Sequence, residues 1–309
     1  MSKERELRLK SINQWPKAFK FDIEEVFEKK VEEVGLAKVF HPFELPESDN
    51  VEYNKVVSFL LDALYMIPNR SDIAFDHVWR ALEYIFTHNG NGSNITKLIQ
   101  DTLNVRIENV ISNDSNYRNA LYIVFEAIPH QVCEYLLKKI TNENSRLEDS
   151  KIYKRLVLND GDPNKKIINL DALMHYFSGK NYSDKDERRG GANLLKKIIS
   201  GNTVTLGKQE EAEPLTLSES ERIRLITLGL LYTFRNDRTH ANVISPFKSS
   251  KASMKTYAHT WYLFLLTYTI LIIMLKSDDS PVNVSGDLSS NAIRNVASMK
   301  EVFGRHLRT

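Results

Sequence analysis

Within LLYTFRNDRTHANVISPF, residues 230–247, an arginine, an asparagine and a histidine stand at Arg235, Asn236 and His240. These residue types suit phosphodiester cleavage. An imidazole that titrates near neutrality can take the proton of a ribose 2′-hydroxyl or return one to a leaving oxygen. A guanidinium stabilises the charge that builds on the phosphoryl oxygens, in a geometry matched to them, and a neighbouring amide orients either group. A substrate that brings its own 2′-hydroxyl nucleophile needs no metal. On an unbroken helix, positions five apart differ by about 140°, so Arg235 and His240 converge only if the helix ends or bends between them. The polar run NDRTHAN and the following Pro246 predict such an ending. The alternative is an ordinary helix terminus, with Arg238 and His240 meeting the last carbonyls and the helix dipole. Asp237 and Arg238 are expected to face solvent or pair locally, without a catalytic role.

Other candidates are weaker. RRGGANLLKK, residues 188–197, reads as a loop ahead of a helix start. Its backbone donors and Arg188 and Arg189 can hold a phosphate, or the run is a solvated charge cluster. The window Lys151–Lys197 is rich in basic residues and contains Tyr153, Tyr176 and Tyr182. That composition makes an RNA-binding surface through Arg188, Arg189, Lys196 and Lys197 a candidate. NDGDPN at 159–164 reads as a turn rather than a cation loop. His77 and His259 read as packed or satisfied core groups. The histidines at 41, 88, 130, 175 and 306 lack metal-ligand spacing. Cys133, the single cysteine, lies on an apolar helix and reads as a buried thiol. No GxSxG, P-loop or GxGxxG occurs, which argues against common hydrolases, NTPases and dinucleotide enzymes.

The elements that must position these residues are helical. Apolar spacing predicts helices near 22–34, 53–67, 72–88, 94–111, 116–141, 169–178 and 191–200, with GNGSN at 90–94 as a stop. The polar stretch 201–217 reads as a loop or linker. Ser218 with Glu221 three residues on fits a capping box opening the helix that ends in the Arg235 motif. A further helix spans about 252–276. Its run Trp261–Leu275 is free of charge but, at 15 residues, short of the roughly 20 needed to cross a bilayer, so a buried helix is expected and no membrane partner. A loop and a short basic helix follow.

The chain has 309 residues, 42% apolar and 27% charged, with net charge +2. That balance excludes collagen-like, disulfide-stapled and wholly disordered classes. The charged start MSKERELRLK lacks a signal peptide's apolar core, and one cysteine fits a reducing compartment; a cytoplasmic protein is expected.

Arg235, Asn236 and His240, following an apolar helix and preceding a buried one, make the chain resemble the HEPN superfamily. The defining motif of these all-α proteins is an arginine, a polar residue, and a histidine four to six positions on. DHVWRALEYIF at 76–86 is also similar to the first core helix of several HEPN groups. The resemblance implies an all-α HEPN-like bundle over 51–276, with core helices near 53–88, 218–240 and 252–276 and an insertion at about 95–215. An N-terminal helical extension, 1–50, and a C-terminal loop and helix, 277–309, flank it. It further implies a metal-independent, cofactor-free endoribonuclease that leaves a 2′,3′-cyclic phosphate. Such a protein works as a homodimer with facing motifs, in a toxin or antiviral defence setting, with an antitoxin or defence-system protein as partner. A HEPN-like scaffold that dimerises or binds RNA or protein without cleaving is the alternative.

Overall fold

The computed structural model describes residues 2–17, 20–88, 94–141, 146–159, 161–180, 182–207, 213–240, 246–277, 280, 282 and 284–307. They are predominantly helical. Helices α1 (Lys3–Asn13), α2 (Asp22–Val34) and α3 (Leu36–Val39) precede an extended stretch through residues 40–50. Asn50, whose side chain accepts the Tyr53 N–H at 2.9 Å, caps α4 (Val51–Met66), which forms a hairpin with α5 (Ser71–Thr87).

The next helix is continuous but changes pitch. It runs as α6 (Ile95–Leu98), a π-helical turn over Ile99–Asn104, and α7 (Val105–Asn113). The single helix expected over 116–141 is two, α8 (Ser115–Glu126) and α9 (His130–Thr141), separated at Ile128 and Pro129. Proline lacks the N–H that a continuing helix needs but is tolerated in a first turn. Then come α10 (Lys151–Val157), the hairpin β1 (Leu158–Asn159) and β2 (Asp162–Lys166), and α11 (Ile168–Ser178). Helix α12 (Lys185–Ile199) leads into a second antiparallel hairpin, β3 (Val204–Leu206) and β4 (Glu213–Leu215), where the sequence reads as a loop. The expected glycine stop after α5 falls mainly on residues outside those described.

The motif helix is also continuous and also changes pitch. The Ser218–Glu221 capping box opens α13 (Glu219–Arg224). A π-helical segment, Leu225–Leu231, follows, and α14 (Tyr232–Thr239) completes it. The two π segments touch through the buried Thr227 hydroxyl, which lies 2.9 Å from Asn104 Oδ1. Buried Arg224 donates to the carbonyls of Arg155, Leu156 and Leu158 at 2.7–2.9 Å, satisfying the end of α10 and fixing it to the motif helix.

Helix α15 (Met254–Leu275) runs through the centre, packed by α5, α7, α8 and α16 (Leu288–Phe303). Among its residues, only Lys255 is exposed and only Thr256 and His259 are half-buried. It is the one described helix long and apolar enough to span a membrane, and 94% of its apolar window is buried inside the protein. Thr267 and Thr269 return their hydroxyls to carbonyls one turn back at 2.8 and 2.9 Å, and Thr260 meets Ser71 at 2.8 Å. One contiguous core extends from Phe27 to Leu307. The 40–43 stretch joins it: Phe43 N–H donates to the Tyr268 hydroxyl at 2.6 Å, and Asn295 brackets the His41 backbone.

Candidate functional site

Helix α14 lies between α5 and α9, and its polar residues face both. Arg235 reaches α5, where Nη2 donates to the Glu83 carboxylate at 3.3 and 3.4 Å. Its Nη1 donates to Asn236 Oδ1 at 3.2 Å. Glu83 also accepts Trp79 Nε1–H at 2.6 Å, one helical turn away on α5, so the carboxylate that holds Arg235 is itself held. The helix stops at Thr239, and His240 is its C-cap, with φ −89° and ψ 11°. The His240 N–H donates to the Asn236 carbonyl at 3.0 Å, and its side chain is exposed. Asn236 touches Arg235 through its side chain but His240 only through the i to i−4 backbone bond of the helix. The helix therefore does not end between Arg235 and His240 as the sequence predicts but runs on to the cap, with the two positions about 140° apart around its axis. Ala241 to Ser245 lie outside the described residues.

Asp237 and Arg238 do not face solvent. Asp237, 8% exposed, accepts the Tyr135 hydroxyl at 2.7 Å and Lys139 Nζ at 2.9 Å, both from α9. Burial, and then Asp237, push the Tyr135 phenol far above its ordinary pKa, so it stays protonated and donates. Arg238 places Nε and Nη2 on Asp76 at 2.7 and 2.5 Å and Nη1 on Asp72 at 3.3 Å. Asp72 is 1% exposed and also accepts two hydrogen bonds from Arg70. Burial works against the Arg238 charge, but the hydrogen bonds and charges of Asp76 and Asp72 outweigh it and raise its pKa. These two residues fasten α14 to α9 and α5.

On the α9 side of α14, a cleft of about 820 Å³ opens between α9, α12 and the first turns of α15, and Phe234 and Arg238 contribute to it. Arg188 lines this cleft, with Nε 3.9 Å from Glu134 and Nη1 donating to the Tyr182 carbonyl at 3.4 Å. The other RNA-binding candidates lie elsewhere. Arg189 is exposed, 3.9 Å from Asp186. Lys196 and Lys197 occupy the last turn of α12, about 12 Å along the axis from Arg188.

RRGG is not a loop before a helix. It sits inside α12, whose N-terminus is six residues earlier than expected and is closed by Asp184, accepting from the Asp186 and Glu187 N–H groups. The Asp184 carboxylate therefore occupies the N-terminal donors that a phosphate would have used. Gly191 is there for contact: a Cβ on it would come within 2.7 Å of Tyr182 and 2.8 Å of Leu137.

The remaining candidates are structural. His77 is half-buried, 3.6 Å from Asp62 on α4. His259 packs edge-on against Tyr135, ring centres 5.2 Å apart, and burial lowers its pKa to about 4. Cys133 is fully buried, and burial pushes its thiol up to about 12. Among the described residues, no three histidine, cysteine or acidic side chains cluster as a metal site. Glu83 escaped the sequence reading. Its signal was a carboxylate one turn beyond Trp79 on the apolar face of α5, adjacent to nothing in sequence that needed it.

Compared with protein-family models, curated proteins and solved structures, the chain gives no significant match to any of them.

Proposed function

We propose that the protein is a metal-independent endoribonuclease of HEPN type. The reading is supported by one observation: Arg235 and Asn236, joined side chain to side chain, and an exposed His240 all stand on the last turn and cap of a helix that is clamped on both sides. In this scheme His240 accepts the 2′-hydroxyl proton. The 2′-oxygen then forms its bond to phosphorus as the bond to the 5′-oxygen breaks. The leaving oxygen takes a proton, supplied by the second motif in the dimer that the resemblance implies. The products are a 2′,3′-cyclic phosphate and a 5′-hydroxyl. Arg235, aimed by Glu83, and Asn236 stabilise the charge on the non-bridging oxygens. A cytoplasmic toxin or antiviral defence role, restrained by a partner protein, rests on the resemblance alone.

The Arg235–Glu83 pair favours a second reading. A guanidinium already neutralised by a carboxylate binds phosphate less well, which suits a HEPN-like scaffold that dimerises or binds RNA or protein without cleaving. Incubation of the purified protein with mixed structured and single-stranded RNA in EDTA, beside His240→Ala, separates them. Cleavage by the parent alone, with cyclic-phosphate ends, supports the nuclease. Equal cleavage by both places the activity elsewhere or in a contaminant, and no cleavage by either favours the scaffold.

A further inference from the structure

The cleft beside α14 has features that the Arg235 motif does not use. Its volume of about 820 Å³ falls in the roughly 300–1,000 Å³ range of small-molecule sites. One side is apolar, made of Leu137 and the rings of Tyr135, Phe234 and His259, whose centroids lie 5.2–5.9 Å apart. The Tyr135 hydroxyl is turned to Asp237 at 2.7 Å. His259, its pKa lowered to about 4 by burial, is neutral at physiological pH. Both therefore present ring surface without charge.

The charge of the cleft comes from lysines. Lys138 on α9, Lys180 between α11 and α12, and Lys255 in the first turn of α15 line it, and none is ion-paired among the described residues. Lys180 rests over the Tyr176 ring at 4.6 Å, a contact that leaves its charge uncompensated. The two arginines of the lining are engaged: Arg188 stands 3.9 Å from Glu134, and Arg238 is held by Asp76 and Asp72. The cleft thus offers separate ammonium groups and, among the described residues, no open guanidinium fork of the kind that grips a phosphate from two sides.

Two polar atoms of the lining residues are buried and have no hydrogen-bond partner among the described residues: Gln131 Oε1 and Tyr182 Oη. The Gln131 amide is fixed, because its Nε2 donates to the carbonyls of Lys255 at 3.3 Å and His306 at 3.2 Å. Its oxygen is thus an oriented acceptor that lacks a donor. Native proteins pair nearly all such atoms, so these two mark where the polar group of a ligand fits.

An apolar ring surface beside unpaired ammonium groups, with one oriented acceptor, fits a flat apolar body that ends in a carboxylate and carries a single donor. We propose that this cleft binds an aromatic carboxylic acid whose ring bears an N–H or O–H group. The ring lies against Leu137, Tyr135, Phe234 and His259, where its burial supplies most of the affinity. Its donor meets Gln131 Oε1, and its carboxylate finds its counter-charge in Lys138, Lys180 and Lys255. The Tyr182 hydroxyl, kept protonated because burial raises its pKa, meets the polar edge of the same ligand. Arg235, Asn236 and His240 do not line the cleft, so the proposal stands apart from the ribonuclease reading.

The test is calorimetric titration of the full chain with indole-3-acetate, beside three probes that each lack one of its features. Acetate lacks the ring, indole-3-acetamide lacks the charge, and naphthalene-1-acetate lacks the N–H. AMP is titrated as an aromatic ligand whose anion is a phosphate. The same titrations are run on the triple variant Lys138→Gln/Lys180→Gln/Lys255→Gln, shown to be folded by its thermal melt. The expected result is saturable binding of indole-3-acetate, one ligand per chain, weakened by rising salt and at least about tenfold in the triple variant. Acetate and indole-3-acetamide bind at least about tenfold more weakly, and naphthalene-1-acetate falls between them and indole-3-acetate. The proposal is overturned if neither aromatic acid saturates by about 1 mM. It is also overturned if the amide binds as well as the acid, if the triple variant binds as well as the parent, or if AMP binds more tightly than indole-3-acetate. Equal binding of naphthalene-1-acetate and indole-3-acetate overturns the donor contact with Gln131 Oε1.

Discussion

Two arginines three residues apart in α14 are assigned opposite duties, and truncating each to alanine separates them. Arg238 is 14% exposed and bonds in a fork to Asp76 while touching the buried Asp72. Removing one partner of a buried ion pair costs about 3–5 kcal/mol. Here Asp72 keeps Arg70, and Asp76 is itself 31% exposed, so about 3 kcal/mol is expected for Arg238→Ala. At about 2.1 cal/mol/K per residue, 309 residues have an unfolding entropy of about 0.65 kcal/mol/K. The loss therefore lowers the Tm by about 5 °C. Arg235 and Glu83 are 25% and 28% exposed and meet at 3.3 Å, so Arg235→Ala is expected to cost no more than about 1 kcal/mol, or under about 2 °C. Its effect belongs in the RNA-cleavage assay instead. Circular-dichroism melts of both variants, beside single-turnover cleavage, give the comparison. Equal losses of Tm would make Arg235 a structural anchor and remove the ground for its chemical role. A loss under about 1 kcal/mol for Arg238→Ala would refute the clamp.

His240→Ala should lower RNA cleavage by about 10²–10⁴-fold with the melt unchanged, because the side chain is exposed and ends the helix without packing. The His259 pKa is lowered to about 4 by burial, against about 6.5 unfolded. The unfolded chain therefore binds a proton that the folded chain refuses, and stability falls as pH drops from about 6.5 to about 4, by at most about 3 kcal/mol. Denaturant midpoints at the two ends of that window should shift less in His259→Phe than in the parent. Thr227→Val removes a buried hydroxyl that lies 2.9 Å from both Asn104 Oδ1 and the Ile223 carbonyl, and should cost about 1–3 kcal/mol in urea unfolding. Gly191→Ala forces a Cβ against Tyr182 and Leu137; about 1–3 kcal/mol of overpacking is expected, together with altered Tyr182 fluorescence.

The helices with a polar and an apolar face were legible. For α2, α4, α5 and α11 the apolar spacing gives bounds within about two residues of those observed. The capping box was legible because Ser218 and Glu221 are local. What was not legible depended on partners far away in sequence. Gly190 and Gly191 read as a loop ahead of a helix start; Gly191 is instead the point inside α12 where the helix meets Tyr182 and Leu137. Asp237 and Arg238 read as surface groups because their partners stand 98–166 residues upstream. The π segment over Leu225–Leu231 left no trace because all seven residues are buried, so no amphipathic stripe existed to show a change of phase. Arg235, Asn236 and His240 were singled out by type and spacing alone, whereas Glu83 and the cleft lysines come from segments that only folding brings near.

The wide turn at Leu225–Leu231 has a consequence for insertions and deletions. A π turn closes its hydrogen bonds from i to i+5 and so houses one residue more than an α turn spanning the same length. Loss of a single residue within LITLGLL returns the turn to α pitch and keeps everything after Tyr232 in phase, with Arg235 still over Glu83 and Arg238 over Asp76. The same loss inside Tyr232–Thr239 has no spare residue to absorb it and swings the following side chains by about 100°. Length variation in this helix is therefore expected to collect on the N-terminal side of Tyr232.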